Sequence, residues 1–190
     1  MNDFYKFIEE WGWNSVAIDK AHACLLYGVI TSSKPVKVLE IGVGSGFVTK
    51  TILHGLNYNG SGNLTCVDSF HDWGGKEPLH IKELKNSGIT LINSTEESFV
   101  HSCKDKFDLI ISDGDHRRGG LWADKVYDLL EPDGILFAHD VLMDRYPTLK
   151  NYISIAQQRG YSYRVFYKST REEEMCDRGW LMVTRNESKI

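Results

Sequence analysis

Five short apolar runs alternate with helical patterns along this chain, and that alternation constrains its architecture more than any other feature. The runs are residues 36–41 (VKVLEI), 64–67 (LTCV), 89–92 (ITLI), 107–111 (FDLII) and 135–138 (ILFA). Each has the length of a strand, and several are apolar at successive positions, as strands covered on both faces are. Helical patterns separate them. Residues 47–57 follow a glycine-rich turn, and 78–87 run from Pro78 to just before Gly88. Residues 121–130 place Trp122, Val126, Leu129 and Leu130 on one face, closed by Pro132-Asp-Gly134. Strands alternating with helices build βαβ units and a mostly parallel sheet.

The two ends depart from this rhythm. An aromatic-rich segment from Phe4 to Trp13 precedes a helix expected at 16–30, with Ala17, Ala21, Cys24, Leu25 and Gly28 on one stripe. After a helix expected at 148–159 come two strand patterns, 161–167 and 179–184, joined by a charged loop with no helix between them. A direct connection of that kind makes them an antiparallel pair at one edge of the sheet.

A length of 190 residues sets the expectation of one domain, since domains run to ~150 residues. Lys and Arg total 22 against 26 Asp and Glu, a net charge of -4, with Arg117-Arg118 the one adjacent arginine pair. That balance argues against a nucleic-acid or anionic-membrane partner, which needs local positive charge. No apolar stretch reaches the roughly 20 residues of a membrane span, and MNDFYKFIEE carries acids where a signal peptide needs a basic start. Cys24, Cys66, Cys103 and Cys176 are far apart, without metal-site spacing, and are expected as buried thiols in a reducing compartment. A cytoplasmic location follows by exclusion.

The sharpest local signal is VLEIGVGSGF at 38–47, which reads as strand, glycine turn and helix. Gly42, Gly44 and Gly46 let the backbone turn sharply and approach a ligand closely, where a Cβ would clash. The next strand ends in Asp68, a carboxylate at the spacing where dinucleotide folds bind ribose hydroxyls. The nicotinamide fingerprint does not fit, because Phe47 and Thr49 occupy positions where it requires a small residue. A tight structural turn without a ligand is the bland alternative.

The run Glu40-x-Gly-x-Gly-x-Gly46 resembles motif I of class I S-adenosylmethionine-dependent methyltransferases. VDSF at 67–70 resembles the motif after the second strand in small-molecule O-methyltransferases, including those acting on antibiotic sugars. INSTE at 92–96, ISDGDH at 111–116 and FAHD at 137–140 follow in the family's order and spacing. The resemblance implies an α/β, Rossmann-like, mostly parallel seven-stranded sheet with an antiparallel edge hairpin at the C-terminus. It implies a single domain: a helical cap over 1–35, a cofactor core over 36–141, and a last helix with edge strands over 142–190.

Carried over residue by residue, Glu40, Gly42, Gly44 and Gly46 would hold the methionine moiety of S-adenosylmethionine, and Asp68 its ribose. Ser69, Ser94 and Thr95 would surround the adenine, and Asp113 would be a further cofactor contact. Metal-dependent relatives place a carboxylate after the fourth strand and an acidic pair, or Asp-Asn, after the fifth; Asp113 and Asp140 match. His139 stands where sugar-modifying relatives have Asp, so Asp113, His139 and Asp140 would form a less carboxylate-rich site. That departure would weaken an octahedral Mg²⁺ site, while an imidazole ligand suits Mn²⁺ or Fe²⁺ better, so the expected ion is Mg²⁺ or Mn²⁺. His116 is a candidate general base, with Asp113 and Asp140 the other catalytic candidates.

Other features carry rival readings. HDWGG at 71–75 is either a lid or a solvent loop; Trp11 and Trp13 either line an acceptor or anchor the N-terminal helix. His22, His54, His80 and His101 are expected at helix surfaces, and Glu172 to Glu174 in a solvated hairpin loop. The expected activity is methyl transfer to a small molecule, at a hydroxyl oxygen, with a cofactor-binding sensor without turnover and, behind it, a nicotinamide-dependent oxidoreductase as the alternatives. Association into a homo-oligomer through the aromatic termini stays open.

Overall fold

The computed structural model describes residues 3–11, 20–71, 79–167 and 178–185. Seven strands form one sheet: β1 (Lys37–Ile41), β2 (Asn63–Asp68), β3 (Thr90–Asn93), β4 (Phe107–Ser112), β5 (Leu130–His139), β6 (Ser162–Phe166) and β7 (Trp180–Thr184). Their spatial order is β3-β2-β1-β4-β5-β7-β6. The first five are parallel, and β7 runs antiparallel to both β5 and β6, so the terminal pair does close one edge. The order reverses between β1 and β4, and there their carboxyl ends open the crevice typical of such sheets.

Among the described residues seven α-helices flank the sheet: α1 (Asp3–Glu10), α2 (Lys20–Ser33), α3 (Phe47–Asn59), α4 (Leu79–Lys85), α5 (Glu96–Ser102), α6 (Ala123–Asp128) and α7 (Asn151–Gln158). The period-two alternation of each strand sorts its side chains between two cores. Val38, Leu109, Ile111 and Phe137 pack with α1, α2 and α3, while Leu39, Ile41, Ile110, Leu136 and Ala138 pack with α5, α6 and α7. Burial of each such Val, Leu, Ile or Phe side chain stabilises the fold by roughly 1.5–3 kcal/mol.

Three local expectations are corrected. The buried face of α2 carries His22, Ala23, Leu26 and Ile30, whereas Ala21, Cys24 and Gly28 are exposed. The small-residue stripe pointed the wrong way because a histidine heads the true apolar row of positions i, i+4 and i+8. Cys24 is accordingly an exposed thiol, while Cys66 is buried and Cys103 half-buried. Leu130, assigned to the helix ending at 130, instead begins β5 opposite Phe107, and the pairing is irregular between Phe107 and Leu109. Pro132 terminates the helical path but does not exclude the start of a strand beside such an irregularity. Two further helices, α1 and α5, are short pieces whose ranges the sequence reading did not assign. Trp13, residues 72–75, residues 172–174 and Cys176 lie outside the described residues.

Candidate active site

The chain leaves β1 into the turn 42–46, which reaches α3 through three glycines with positive φ: +88° at Gly42, +50° at Gly44 and +78° at Gly46. Gly42 is the position where no side chain fits, because a Cβ there would come 2.3 Å from the Asp113 carbonyl oxygen. Two backbone bonds pin this approach: Gly42 N donates to Val67 O at 2.9 Å, and Asp113 N donates to Ile41 O at 2.8 Å. The glycine turn and the turn after β4 are thereby in contact. The Cβ direction at Gly44, by contrast, faces open space. That leaves a backbone cradle at the head of α3.

Asp68 holds this turn from β2. Its Oδ2 accepts from Val43 N at 2.8 Å and Gly44 N at 3.1 Å, and its Oδ1 accepts from Phe70 N at 2.6 Å. Glu40 shares the sheet face of Val38, so it points beneath the turn rather than into the crevice, with no exposed surface. Its Oε2 accepts from Thr49 Oγ1 at 2.7 Å and from Cys66 Sγ at 3.2 Å, while Oε1 is buried without a hydrogen-bond partner among the described residues. Burial pushes the Glu40 carboxyl up to about 8, with the Thr49 and Cys66 bonds opposing and the Asp113 and Asp68 charges adding to the rise. In this position it supports the turn from below.

Ser69 and Ser94 are half-buried near the ends of β2 and β3, and Ser94 N donates to Asp68 O at 3.2 Å. Thr95 is exposed and is the N-cap of α5, accepting from Ser98 N at 3.2 Å. These three residues line up along the β2–β3 side of the crevice.

The β4 and β5 ends bring Asp113, His116, His139 and Asp140 together. His139 Nδ1 lies 3.1 Å from Asp113 Oδ1 and 3.6 Å from Asp140 Oδ1, and His116 Nε2 lies 2.9 Å from Asp140 Oδ2 and 3.5 Å from Asp113 Oδ1. Arg178, at the approach to β7, stands 3.6 Å from Asp140 Oδ1. Asp140 is fully buried in a left-handed conformation, φ +59°. Neither of its oxygens has an aligned hydrogen-bond donor among the described residues, even though the His116 ring approaches closely.

Charge sets the protonation of this cluster. Burial opposes ionisation of Asp113, yet the His139 and His116 imidazoles hold it below the usual carboxylate range. Burial likewise opposes the charged form of His116, but Asp113 and Asp140 raise it to about 11. His139 is raised too, by the same two carboxylates against its own burial. So held, His116 carries its proton at neutral pH. A proton-accepting role for it requires that the charge of the two carboxylates be offset.

Two buried residues join the site that sequence reasoning did not place there. His22 of α2 is buried, its ring centroid 6.4 Å from that of His139 and 4.9 Å from that of Trp180. Period two puts His139 on the α2 side of β5, so the meeting follows from the strand pattern once the buried row of α2 is known. Glu96, at the start of α5, is also buried, and its Oε2 accepts from Asp115 N at 2.9 Å. Burial raises its carboxyl, which the Asp115 N–H counteracts. The sequence signal for a helix start was there, a Thr followed by two acids, but nothing local said which acid turned inward. His54 stacks on Phe7, and Trp11 packs on Phe7 and Phe47, so α1 is anchored on the head of α3. His101 is exposed at the end of α5.

The seven-stranded arrangement is that of known methyltransferases. An O-methyltransferase from Bacillus cereus, solved with S-adenosylhomocysteine, superposes with a TM-score of 0.73 at 13% identity over 96% of this chain and 88% of that one. The O-methyltransferase TomG of tomaymycin synthesis from Streptomyces achromogenes, solved with S-adenosylmethionine, gives 0.71 at 10% identity over 97% and 87%. A Podospora anserina methyltransferase bound to S-adenosylhomocysteine gives 0.66 at 14% identity over 95% and 85%. No curated protein matches the chain in sequence. A methyltransferase-domain family model matches residues 39–141, more than half of the 190. The chain therefore belongs to the methyltransferase-domain family, and its fold is that of the class I enzymes. No helix among the described residues is long and apolar enough to cross a membrane.

Proposed function

We propose that this protein transfers the methyl group of S-adenosylmethionine to a hydroxyl oxygen of a small molecule, with a divalent cation held by Asp113, His139 and Asp140. The whole chain is read as one methyltransferase domain working without nucleic acid or membrane. One observation carries the reading. A buried Asp140 without an aligned donor sits beside Asp113 and His139, and the turn of Asp113 packs directly on Gly42. A cofactor seat and a donor cluster are thus built on the same backbone contact.

The residues present fit both groups. The open side of Gly44 and the carboxylate of Asp68 suit an adenosyl moiety, whose ribose hydroxyls would share Asp68 with the turn. Ligand atoms of Asp113, His139 and Asp140 all lie within 4.8 Å of one another, and a buried carboxylate whose oxygens lack an aligned donor suits a cation. When bound, S-adenosylmethionine supplies a sulfonium methyl open to in-line displacement, and the cation lowers the pKa of an acceptor hydroxyl. The chain's own part is to orient the two partners and to accept the acceptor proton. His116 Nε2, between Asp113 and Asp140, is the atom placed to carry that proton.

An imidazole among the ligands favours a first-row transition ion over Mg²⁺. Mn²⁺ is expected to bind at least about tenfold tighter than Mg²⁺, with affinity falling at low pH as ligands take up protons. Calorimetric titration with each ion measures this, and equal affinities would contradict it. Methyl transfer to a panel of catechols and sugars, with and without a chelator, tests the reaction itself. Turnover lost on chelation and restored by Mn²⁺ is the expected outcome; turnover indifferent to chelation removes the cation from the account.

A further inference from the structure

Glu96 is the buried acid that neither cofactor seat nor donor cluster uses. It begins α5 directly after Ser94 and Thr95, but α5 is capped by Thr95, so the Glu96 carboxylate has no task in its own helix. Its side chain instead runs beneath the turn that follows β4. There Oε2 accepts from Asp115 N at 2.9 Å, and Ser112 Oγ approaches Oε1 at 3.5 Å. A Cβ on Gly114 would come 2.6 Å from Oε2, so the turn rests on the carboxylate itself.

Asp115 then propagates this hold. Its Oδ1 accepts from Arg117 N and Arg118 N, each at 3.0 Å, and its carbonyl accepts from Gly119 N at 2.6 Å. His116 is the residue inside that closed turn. A small cavity of about 10 Å³, at the lower limit for admitting one water, lies where Glu96, Ser112, Asp113, His116 and His139 converge. Burial of a carboxylate is costly unless it is hydrogen-bonded, and here the Asp115 N–H, the Ser112 hydroxyl and the Trp122 side chain offset that cost, the first of them from the turn itself.

We infer that Glu96 is a positioning residue: from the adenine side of the crevice it sets the turn that presents Asp113 and His116 to the reaction. This rests on the functional reading above. In that reading it also links the two halves of the site, since residues 94–95 flank the cofactor and residues 113–116 flank the acceptor. It acts through Asp115 and touches no reacting atom.

Three variants test it. Glu96→Ala removes the acceptor; Glu96→Asp keeps the charge but is one methylene too short to reach Asp115 N; Glu96→Gln keeps an acceptor oxygen at the right reach. Ala and Asp are expected to lower kcat about 10- to 100-fold with the KM for S-adenosylmethionine within threefold, and Gln to stay within threefold of wild type. Amide hydrogen exchange supplies the readout that a general loss of stability would not give. Exchange at 115–119 should rise in Ala and Asp while the strand amides of β1 and β4 keep their protection. Unchanged kcat and unchanged exchange in Glu96→Asp overturn the inference, as does a Gln variant as impaired as Ala. If Ala does not fold, Asp and Gln decide. If the wild type binds no S-adenosylmethionine, the functional reading fails, and the exchange comparison still judges the hold on the turn.

Discussion

Asp68→Ala is expected to weaken S-adenosylmethionine binding by at least about 100-fold. The carboxylate accepts three backbone N–H groups, two of them from the glycine turn, and hydrogen bonds to a charged group contribute ~1.5–3 kcal/mol each. Its loss releases Val43 and Gly44 from the geometry that forms the cradle, and also removes the acceptor for ribose hydroxyls. Loss of about 3 kcal/mol alone is a factor above 100 in affinity. Asp68→Asn keeps one acceptor oxygen and should fall between wild type and Ala. Calorimetry with S-adenosylmethionine and S-adenosylhomocysteine measures both. Affinity unchanged in Ala would refute the ribose assignment.

Glu40→Gln should change how stability depends on pH. The folded-state carboxyl titrates at about 8, above its ordinary 4.5, because burial penalises its charged form. The native state therefore holds a proton that the unfolded chain has released between those pH values. Stability is fully present below 4.5 and declines as pH rises towards 8, by up to ~1.4 kcal/mol per pH unit. Gln has no proton to lose, and its carbonyl oxygen can take the place of Oε2 opposite Thr49. The variant should gain on wild type as pH rises, by on the order of a few kcal/mol at pH 9 relative to pH 4.5. Denaturant unfolding across that range is the measurement. Parallel profiles would mean that Glu40 is ionised in the folded protein.

The parts of this molecule that repeat a period were legible in its sequence. Strand-length apolar runs located β1 to β5, and glycine spacing located the turn at 42–46. What was not legible depends on which way a single polar side chain turns. His22 broke the apolar row of α2 and so hid it, and the stripe was read from the exposed small residues instead. Glu40 and Glu96 are both acids at a strand or helix boundary. Only the packing shows that one lies under the glycine turn and the other under the turn of His116. Asp113, His116, His139 and Asp140 were chosen as a group because they follow adjacent strands. The structure brings them within hydrogen-bonding range, and the Asp113 and Asp140 carboxylates raise the His116 imidazole, a charge effect that spacing along the chain does not carry.

The central claim is that the turn at 42–46 and Asp68 seat S-adenosylmethionine. Calorimetric titration of the wild-type protein with S-adenosylmethionine and with S-adenosylhomocysteine tests it most directly. One site per chain is expected, with a dissociation constant on the order of 1–100 μM for each. No binding of either ligand at high micromolar concentration would contradict it.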